Sequence, residues 1–227
     1  MRETHLILTS EELAVLLAAA GGAALYGFWA GKTPERGAVL AAANRLVEQG
    51  LLSAGPEGFQ VPPSPVRDLL EPLRDPEWAA FLTPRAEERP QVCYSGKKDR
   101  ITGCEPVLVQ PGAVRLFSRL RADWAEELTA RDALPPLARE FPAGQRREEP
   151  ARAPEWEKGG AALLEEVPGA RTLLEFWSPT RRRAVRRVLL CAPPPEALIL
   201  TAEGAVRTND LYEAVQLPPE GVEEEII

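Results

Sequence analysis

Histidine is all but missing: His5 is the only one in the chain. Ser-His-Asp and Cys-His nucleophile systems each need a histidine. Here they could draw only on His5, which sits in the strand-like segment His5-Leu6-Ile7-Leu8-Thr9. Zinc sites with two or three histidines are excluded. Cysteine is nearly as scarce. Cys93, Cys104 and Cys191 form an odd set without C-x-x-C spacing, whereas a disulfide framework wants an even set in a short secreted chain. Reduced thiols in a cytoplasmic protein are the expectation. Neither G-x-x-x-x-G-K-[ST] nor G-x-G-x-x-G occurs, and Gly21-Gly22 and Gly159-Gly160 stand as isolated pairs, so no phosphate-cradling loop is expected. None of the 34 acidic residues stands in a recognisable catalytic motif. We therefore expect no catalytic residues, no metal, no cofactor and no enzymatic activity.

Positive charge is the minority sign. Lys and Arg number 27 against 34 Asp and Glu, a net charge of −7, which argues against a chain-wide nucleic-acid footprint because phosphate binding rests on Lys and Arg. Long apolar runs are also missing, with one segment to check. Leu13 to Gly31 is 19 positions without a charge, close to membrane-spanning length. Four of those are Gly and seven are Ala, so the transfer gain is small, and Glu11-Glu12 stands where a signal peptide carries positive charge. A buried helix broken at Gly21-Gly22, with no membrane span, is the expectation.

What is present is a core's worth of apolar residues, 44% of 227 positions, and 23 prolines, about twice the usual ~5%. That proline content favours many short elements with abrupt ends. Residues 1–84 read as mainly helical. Thr9 or Ser10 caps a helix with Leu13, Leu16 and Leu17 on one face. A second helix opens at Thr33-Pro34-Glu35 and stops at Gly50. Val66 to Leu73 and Pro76 to Leu82 read as two more.

The period then changes. Gln91 to Tyr94, Arg100 to Cys104 and Pro106 to Gln110 read as strands, and Val114-Arg115-Leu116 leads into a helix through Leu120, Trp124 and Leu128. Residues 131–170 read as a surface linker and a short helix at Ala161 to Val167. Thr172 to Trp177, Arg183 to Leu190 and Ala197 to Thr201 are strands, with a closing helix from Asn209 to Leu217 that Asn209 and Asp210 would cap. The fold class is α+β, two antiparallel β-meanders in a central sheet arranged as pseudo-two-fold halves with helical subdomains. The halves are residues 1–130 and 131–227.

An internal resemblance supports two halves. Val107-Leu108-Val109-Gln110-Pro111-Gly112-Ala113-Val114-Arg115 aligns with Ile199-Leu200-Thr201-Ala202-Glu203-Gly204-Ala205-Val206-Arg207. Upstream, Val92-Cys93-Tyr94-Ser95 and Lys97-Lys98-Asp99-Arg100 echo Glu175-Phe176-Trp177-Ser178 and Arg181-Arg182-Arg183. The densest cationic run, Arg181, Arg182, Arg183, Arg186 and Arg187, has two readings: a patch for an acidic partner or nucleic acid, or a solvated hairpin edge that deters strand-to-strand aggregation. The acidic Glu223-Glu224-Glu225 could fold back on it. The five tryptophans, Trp29, Trp78, Trp124, Trp156 and Trp177, are spread out and read as core rather than as a stacking platform.

Helix, helix and the segment Leu51 to Val61 also outline a winged helix with a short wing, an alternative reading as a DNA-binding regulator. The charges oppose it. The candidate recognition helix sets Arg36 and Arg45 against Glu35 and Glu48, and residues 1–84 carry six basic against ten acidic residues, whereas a DNA reader presents Arg and Lys.

The order of elements resembles a known family. Leu6-Ile7-Leu8-Thr9 runs into a Leu/Ala helix with Glu11-Glu12-Leu13, and a second helix ends in Leu46-Val47-Glu48-Gln49-Gly50-Leu51-Leu52. Val61-Pro62, a Leu69-Leu70 helix ending near Pro76-Glu77, two meanders and a final strand-to-helix unit follow. This order is similar to that of the EspG-like chaperones of type VII (ESX) secretion, over nearly the whole chain. The Pro- and Arg-rich insert at 142–156 departs from it. The resemblance implies a non-catalytic cytoplasmic chaperone or adaptor whose partners are secreted helical-hairpin proteins, engaged through a hairpin loop of the sheet and the C-terminal helical part. By order along the chain that loop is Lys97, Lys98, Asp99 and Arg100. Reversing the charges of Lys97, Lys98 and Arg100 together is expected to weaken cargo binding and leave the fold intact.

Overall fold

Thr9 shows how the chain commits to its first turn. Its hydroxyl accepts from the Glu12 amide at 3.2 Å, while the Glu12 carboxylate accepts from the Thr9 amide at 2.8 Å, a reciprocal cap that switches strand into helix. The computed structural model describes residues 5–22, 35–56, 58–86, 90–134, 146–149, 160–192 and 195–218. The architecture is α+β, built on antiparallel sheet. It divides into two compact units, Met1–Ala79 with Val92–Arg121 and Ala80–Gln91 with Ala122–Ile227. Among the described residues no helix is long and apolar enough to cross a membrane.

In the first unit, β1 (His5–Thr9) leads into α1 (Ser10–Ala19), then α2 (Arg36–Glu48), a small hairpin of β2 (Ser53–Gly55) and β3 (Gly58–Gln60), and α3 (Pro65–Arg74). The chain leaves α1 through Gly21 at φ +81, a left-handed turn that glycine tolerates. Thr33 and Pro34, read as the start of α2, lie outside the described residues. The sheet follows with β5 (Val92–Lys97), β6 (Arg100–Pro106) and β7 (Ala113–Leu120), in the order β1-β7-β6-β5. Two of its glycines are steric necessities. A Cβ on Gly96 would stand 2.0 Å from the Trp78 ring, and one on Gly103 2.1 Å from the Phe117 ring.

Several expectations fail here for identifiable reasons. Pro76 to Leu82 is not a helix. Trp78–Pro84 is a strand, β4, because its unbroken apolar run carries no helical period and Pro76 closes α3 from behind. The expected strand at 106–110 is a turn that leaves Leu108 and Val109 exposed, at 62% and 93%. The third strand is instead β7, whose apolar spacing imitates a helix. The helix through Trp124 begins only at Trp124, as α4 (Trp124–Ala130).

The second unit holds α4, β8 (Arg146–Glu149), α5 (Gly160–Glu166), β9 (Ala170–Ser178), β10 (Arg183–Cys191), β11 (Glu196–Thr201), β12 (Gly204–Thr208) and α6 (Leu211–Ala214). Starting from the part of β4 that belongs to this unit, the order is β4-β9-β10-β11-β12-β8. Leu163, Leu164 and Val167 of the α5 region pack with Leu173, Leu189, Leu198 and Leu200 in its core. The Trp124 indole donates to the Val215 carbonyl at 2.9 Å. Three corrections fall here. The expected linker contains β8, which pairs with β12. The closing helix is only four residues long, capped by Asp210. Ahead of it lies β12, which the sequence reading passed over.

The two units repeat one connectivity. In each, a leading strand is followed by helix and then by antiparallel strands, the last of which returns to pair with the leader: β1-β7-β6-β5 and β8-β12-β11-β10. Both copies of Gly-Ala-Val-Arg lie at the start of that returning strand, with Ala113 opposite Thr9 and Ala205 opposite Glu149. The upstream echo is out of step. It aligns β5–β6 with β9–β10, whereas this connectivity aligns β5–β6 with β10–β11.

Glu12 ties three elements together, since its Oε1 also meets Arg45 Nε of α2 at 2.8 Å. Burial raises the Glu12 carboxyl, but the Arg45 guanidinium and the Thr9 amide and hydroxyl outweigh it and hold the group below its ordinary value. Its contribution is therefore complete above the pKa of the unfolded chain and is lost as pH falls through the folded value. Glu12→Gln, which keeps the cap and removes the charge, is expected to cost about 1 kcal/mol at neutral pH. Denaturant melts should show that difference closing as pH falls below the ordinary carboxylate range. A difference that persists there contradicts the charge assignment.

The thiols are buried and held protonated. Burial pushes Cys93 up to about 12 and raises Cys104 and Cys191 as well. Thiolate forms first in the unfolded chain, at about pH 8.5, so stability is expected to fall as pH climbs from there. Thiol titration with a disulfide reagent at pH 8 should find all three unreactive until denaturant is added. Fast labelling of the native protein would contradict the burial.

Candidate functional site

The β5–β6 hairpin closes with Lys97 opposite Arg100, leaving Lys98 and Asp99 at its tip. Lys98 takes φ +53, a left-handed conformation uncommon outside glycine. Its amide donates to Glu77 Oε2 at 3.1 Å, and the Asp99 carbonyl accepts from the Arg121 amide at 2.8 Å. The tip is thereby held from both sides.

The cations beside the tip turn to α3. Lys97 Nζ lies 2.7 Å from Asp75 Oδ2 and 3.9 Å from Glu71 Oε1, and Arg100 Nη1 lies 2.9 Å from Asp68 Oδ2. Asp68 and Glu71, three residues apart, share one face of α3, and Asp75 follows directly after its last turn. The hydrogen bond and charge of Lys97 hold the Asp75 carboxyl below its ordinary value, and Asp68 raises the Arg100 guanidinium further. Underneath, the buried Thr102 hydroxyl of β6 donates to the Leu69 carbonyl of α3 at 2.9 Å. The four expected loop residues therefore divide. Lys97 and Arg100 brace the hairpin against α3, while Lys98 and Asp99 are exposed. Reversing all three basic charges would also set anions against Asp68, Glu71 and Asp75, so such a variant changes the bracing of the hairpin as well as the charge of its tip.

The arginine run divides too. Arg181, Arg182 and Arg183 are exposed in the β9–β10 turn. Arg186 lies with its guanidinium 4.2 Å from the Phe176 ring centroid and donates to the Gln216 carbonyl. Arg187 is 9% exposed and pairs with Glu175 at 2.8 Å across β9–β10. Glu223, Glu224 and Glu225, read as a possible cover for the run, lie outside the described residues, as do Trp29, Trp156 and most of the 142–156 insert. Trp78 and Trp124 are buried, and Trp177 meets Phe81 edge to face.

A cleft of about 510 Å³ lies between the end of α1, Gln60 and Val61, and the Arg67, Asp68, Glu71 and Arg74 side of α3. Acid–base chemistry asks for carboxylates placed against a substrate. Here Asp68 and Glu71 face Arg100 and Lys97, and Arg74 donates to the Ala20 carbonyl at 3.3 Å. Among the described residues no group of three or more His, Cys, Asp or Glu is placed to hold a metal.

Sequence reasoning missed the acidic face of α3 as the hairpin's counterpart. The signal was the 68, 71, 75 spacing, although spacing alone does not say what a face meets. It also missed that Arg115 and Arg207, the shared arginine of the repeat, each pair with a glutamate on the preceding strand, Glu105 and Glu196. A double-mutant cycle of Lys97→Met with Asp75→Asn should give a coupling of about 0.5 kcal/mol at low ionic strength, shrinking with added salt. Zero coupling at low salt would remove this brace.

No family model matches the chain, and no curated protein matches it either.

Proposed function

We propose that the protein is a non-catalytic cytoplasmic chaperone or adaptor that binds secreted helical-hairpin proteins of a type VII-like secretion system, as its resemblance to the EspG-like family implies. The observation that carries this reading is the β5–β6 hairpin. Its base is fixed to α3 by Lys97–Asp75, Arg100–Asp68 and Thr102–Leu69, and its tip offers Lys98 and Asp99 to solvent. Recognition loops commonly work in this way, exposed on a scaffold that sets their position. A tip bearing one charge of each sign suits the polar outer face of a helical hairpin, whose own apolar face is turned inward.

The winged-helix alternative has the β2–β3 hairpin after α2 in its favour. Against it, Arg45 of that helix is engaged by Glu12.

The test is affinity purification of the tagged protein from its native host, with mass spectrometry of what stays bound, repeated with K98E/D99K. Retention of a stoichiometric small helical protein, reduced about tenfold or more by the double variant, supports the proposal; a change of that size corresponds to about 1.4 kcal/mol. Recovery of DNA without a protein partner would move the assignment to the winged-helix reading, and an empty eluate would end the chaperone reading.

A further inference from the structure

The turn from Ser178 to Arg183 is a second basic hairpin tip, and among the described residues no acid answers Arg182 or Arg183. Arg181, Arg182 and Arg183 are all exposed, in a chain whose net charge is −7. Among the described residues Arg182 and Arg183 make no ion pair, in contrast to Lys97 and Arg100, which acids of α3 answer. Protection of a free sheet edge does not explain them either. Charges serve that purpose on edge strands, and β10 is hydrogen-bonded to β9 on one side and to β11 on the other.

The turn is also shaped. Arg182 takes φ +52, which a non-glycine residue adopts at a cost. The Ser178 hydroxyl accepts from the Arg181 amide at 3.2 Å. The strands below it are braced by Arg187–Glu175 and by Arg186 on Phe176. The guanidinium groups of Arg182 and Arg183 are thus presented together on a short, held turn. Arginine is the residue best suited to carboxylate, which its planar fork meets with two parallel hydrogen bonds.

We propose that the Arg181–Arg183 turn is a docking point for an acidic segment of a partner protein, an extended stretch with closely spaced carboxylates. Nucleic acid is the other polyanion that arginines take. The net charge of −7 and a sequence pI near 5.1 oppose it, since a duplex would meet repulsion from the rest of the surface. The proposal concerns a different hairpin from the Lys98–Asp99 tip and goes beyond the chaperone reading, which can fail without affecting it.

The test is fluorescence anisotropy of the full chain with a labelled hexaglutamate peptide, using hexaglutamine and a labelled 20-base-pair DNA duplex as comparisons. Measurements at about 50 and about 300 mM salt use the screening of exposed charges as a readout. The result expected is saturable binding of hexaglutamate, weakened by salt and at least about tenfold by R182E/R183E, with hexaglutamine inert; tenfold is about 1.4 kcal/mol. K98E, which makes half that charge change on the other hairpin, should weaken binding at most slightly. R182E/R183E should melt within about 2 °C of wild type, because surface substitutions that touch no partner leave stability nearly unchanged.

A loss with K98E of about half the double variant's on a logarithmic scale, or more, would mean that only net charge is being read, and would overturn the proposal. So would the absence of saturable binding at low salt, or tighter binding of the duplex that the same double variant abolishes. Binding that appears only when Glu223, Glu224 and Glu225 are changed to Gln would assign the turn to the chain's own acids and overturn the partner.

Discussion

A carboxylate withdrawn from water has to meet a cation, because an unpaired buried charge costs several kcal/mol. Much of this molecule's geometry satisfies that requirement. Glu12, Glu105 and Glu127 are nearly inaccessible, and each is held by an arginine: Arg45, Arg115 and Arg131. Glu175 and Glu196 repeat the arrangement half-buried, with Arg187 and Arg207. In the first three pairs the glutamate is the more buried partner, and the longer arginine reaches in from a wetter position, its stem covering apolar surface on the way. Such pairs add little net stability beside an apolar substitute, but they penalise any arrangement that separates them. Glu105 stands directly opposite Arg115, and Glu175 directly opposite Arg187. Slipping either hairpin by one residue would turn the charge to the wrong face. The pairs act on register more than on depth of stability.

The same requirement explains why Gly-Ala-Val-Arg persists in both units. Each copy follows a turn. Gly112 takes φ +80, the alanines at 113 and 205 are buried between neighbouring strands, and the arginine finds a glutamate on the strand before it. In the first unit the pair is straight across, Glu105 to Arg115. In the second, Arg207 lies opposite Leu198 and reaches Glu196, two residues along the same face. The acid has moved by one period of the strand, and the arginine is long enough to follow. A repeat at the level of connectivity can therefore keep its chemistry while its sequence identity shrinks to four residues.

Elements whose signals are local were legible from the residues. The Thr9–Glu12 cap, the Leu69–Leu70 face of α3, strands β9, β10 and β11, and the short helix α5 all carry their own punctuation or periodicity. Elements that exist because of their neighbours were not. Arg146–Glu149 has no apolar residue and becomes strand β8 only by pairing with β12. Ala113–Leu120 places Val114, Phe117 and Leu120 at helical spacing, yet it is held extended by β1 on one side and β6 on the other. Trp78–Pro84 is apolar without a period, which fits a buried strand and a buried helix equally well. The candidate hairpin shows the same division. Its position followed from strand–turn–strand order. Its division into bracing and exposed residues required the α3 acids, which lie more than twenty residues upstream of it.

The two basic hairpin tips make the general point. Lys97-Lys98-Asp99-Arg100 and Arg181-Arg182-Arg183 look alike as sequence, each a cluster of cations in a turn that places one basic residue in the left-handed region. What separates them is what they face. Asp68, Glu71 and Asp75 meet the first, converting two of its three cations into fasteners for a helix. At the second, two acids of the neighbouring strands are engaged lower down, Glu175 by Arg187 and Glu196 by Arg207. Positive charge at a turn is thus structural where folding brings acids to it and available for recognition where folding does not. In a chain with more acids than bases, the tip whose Arg182 and Arg183 meet no acid among the described residues is the more informative of the two.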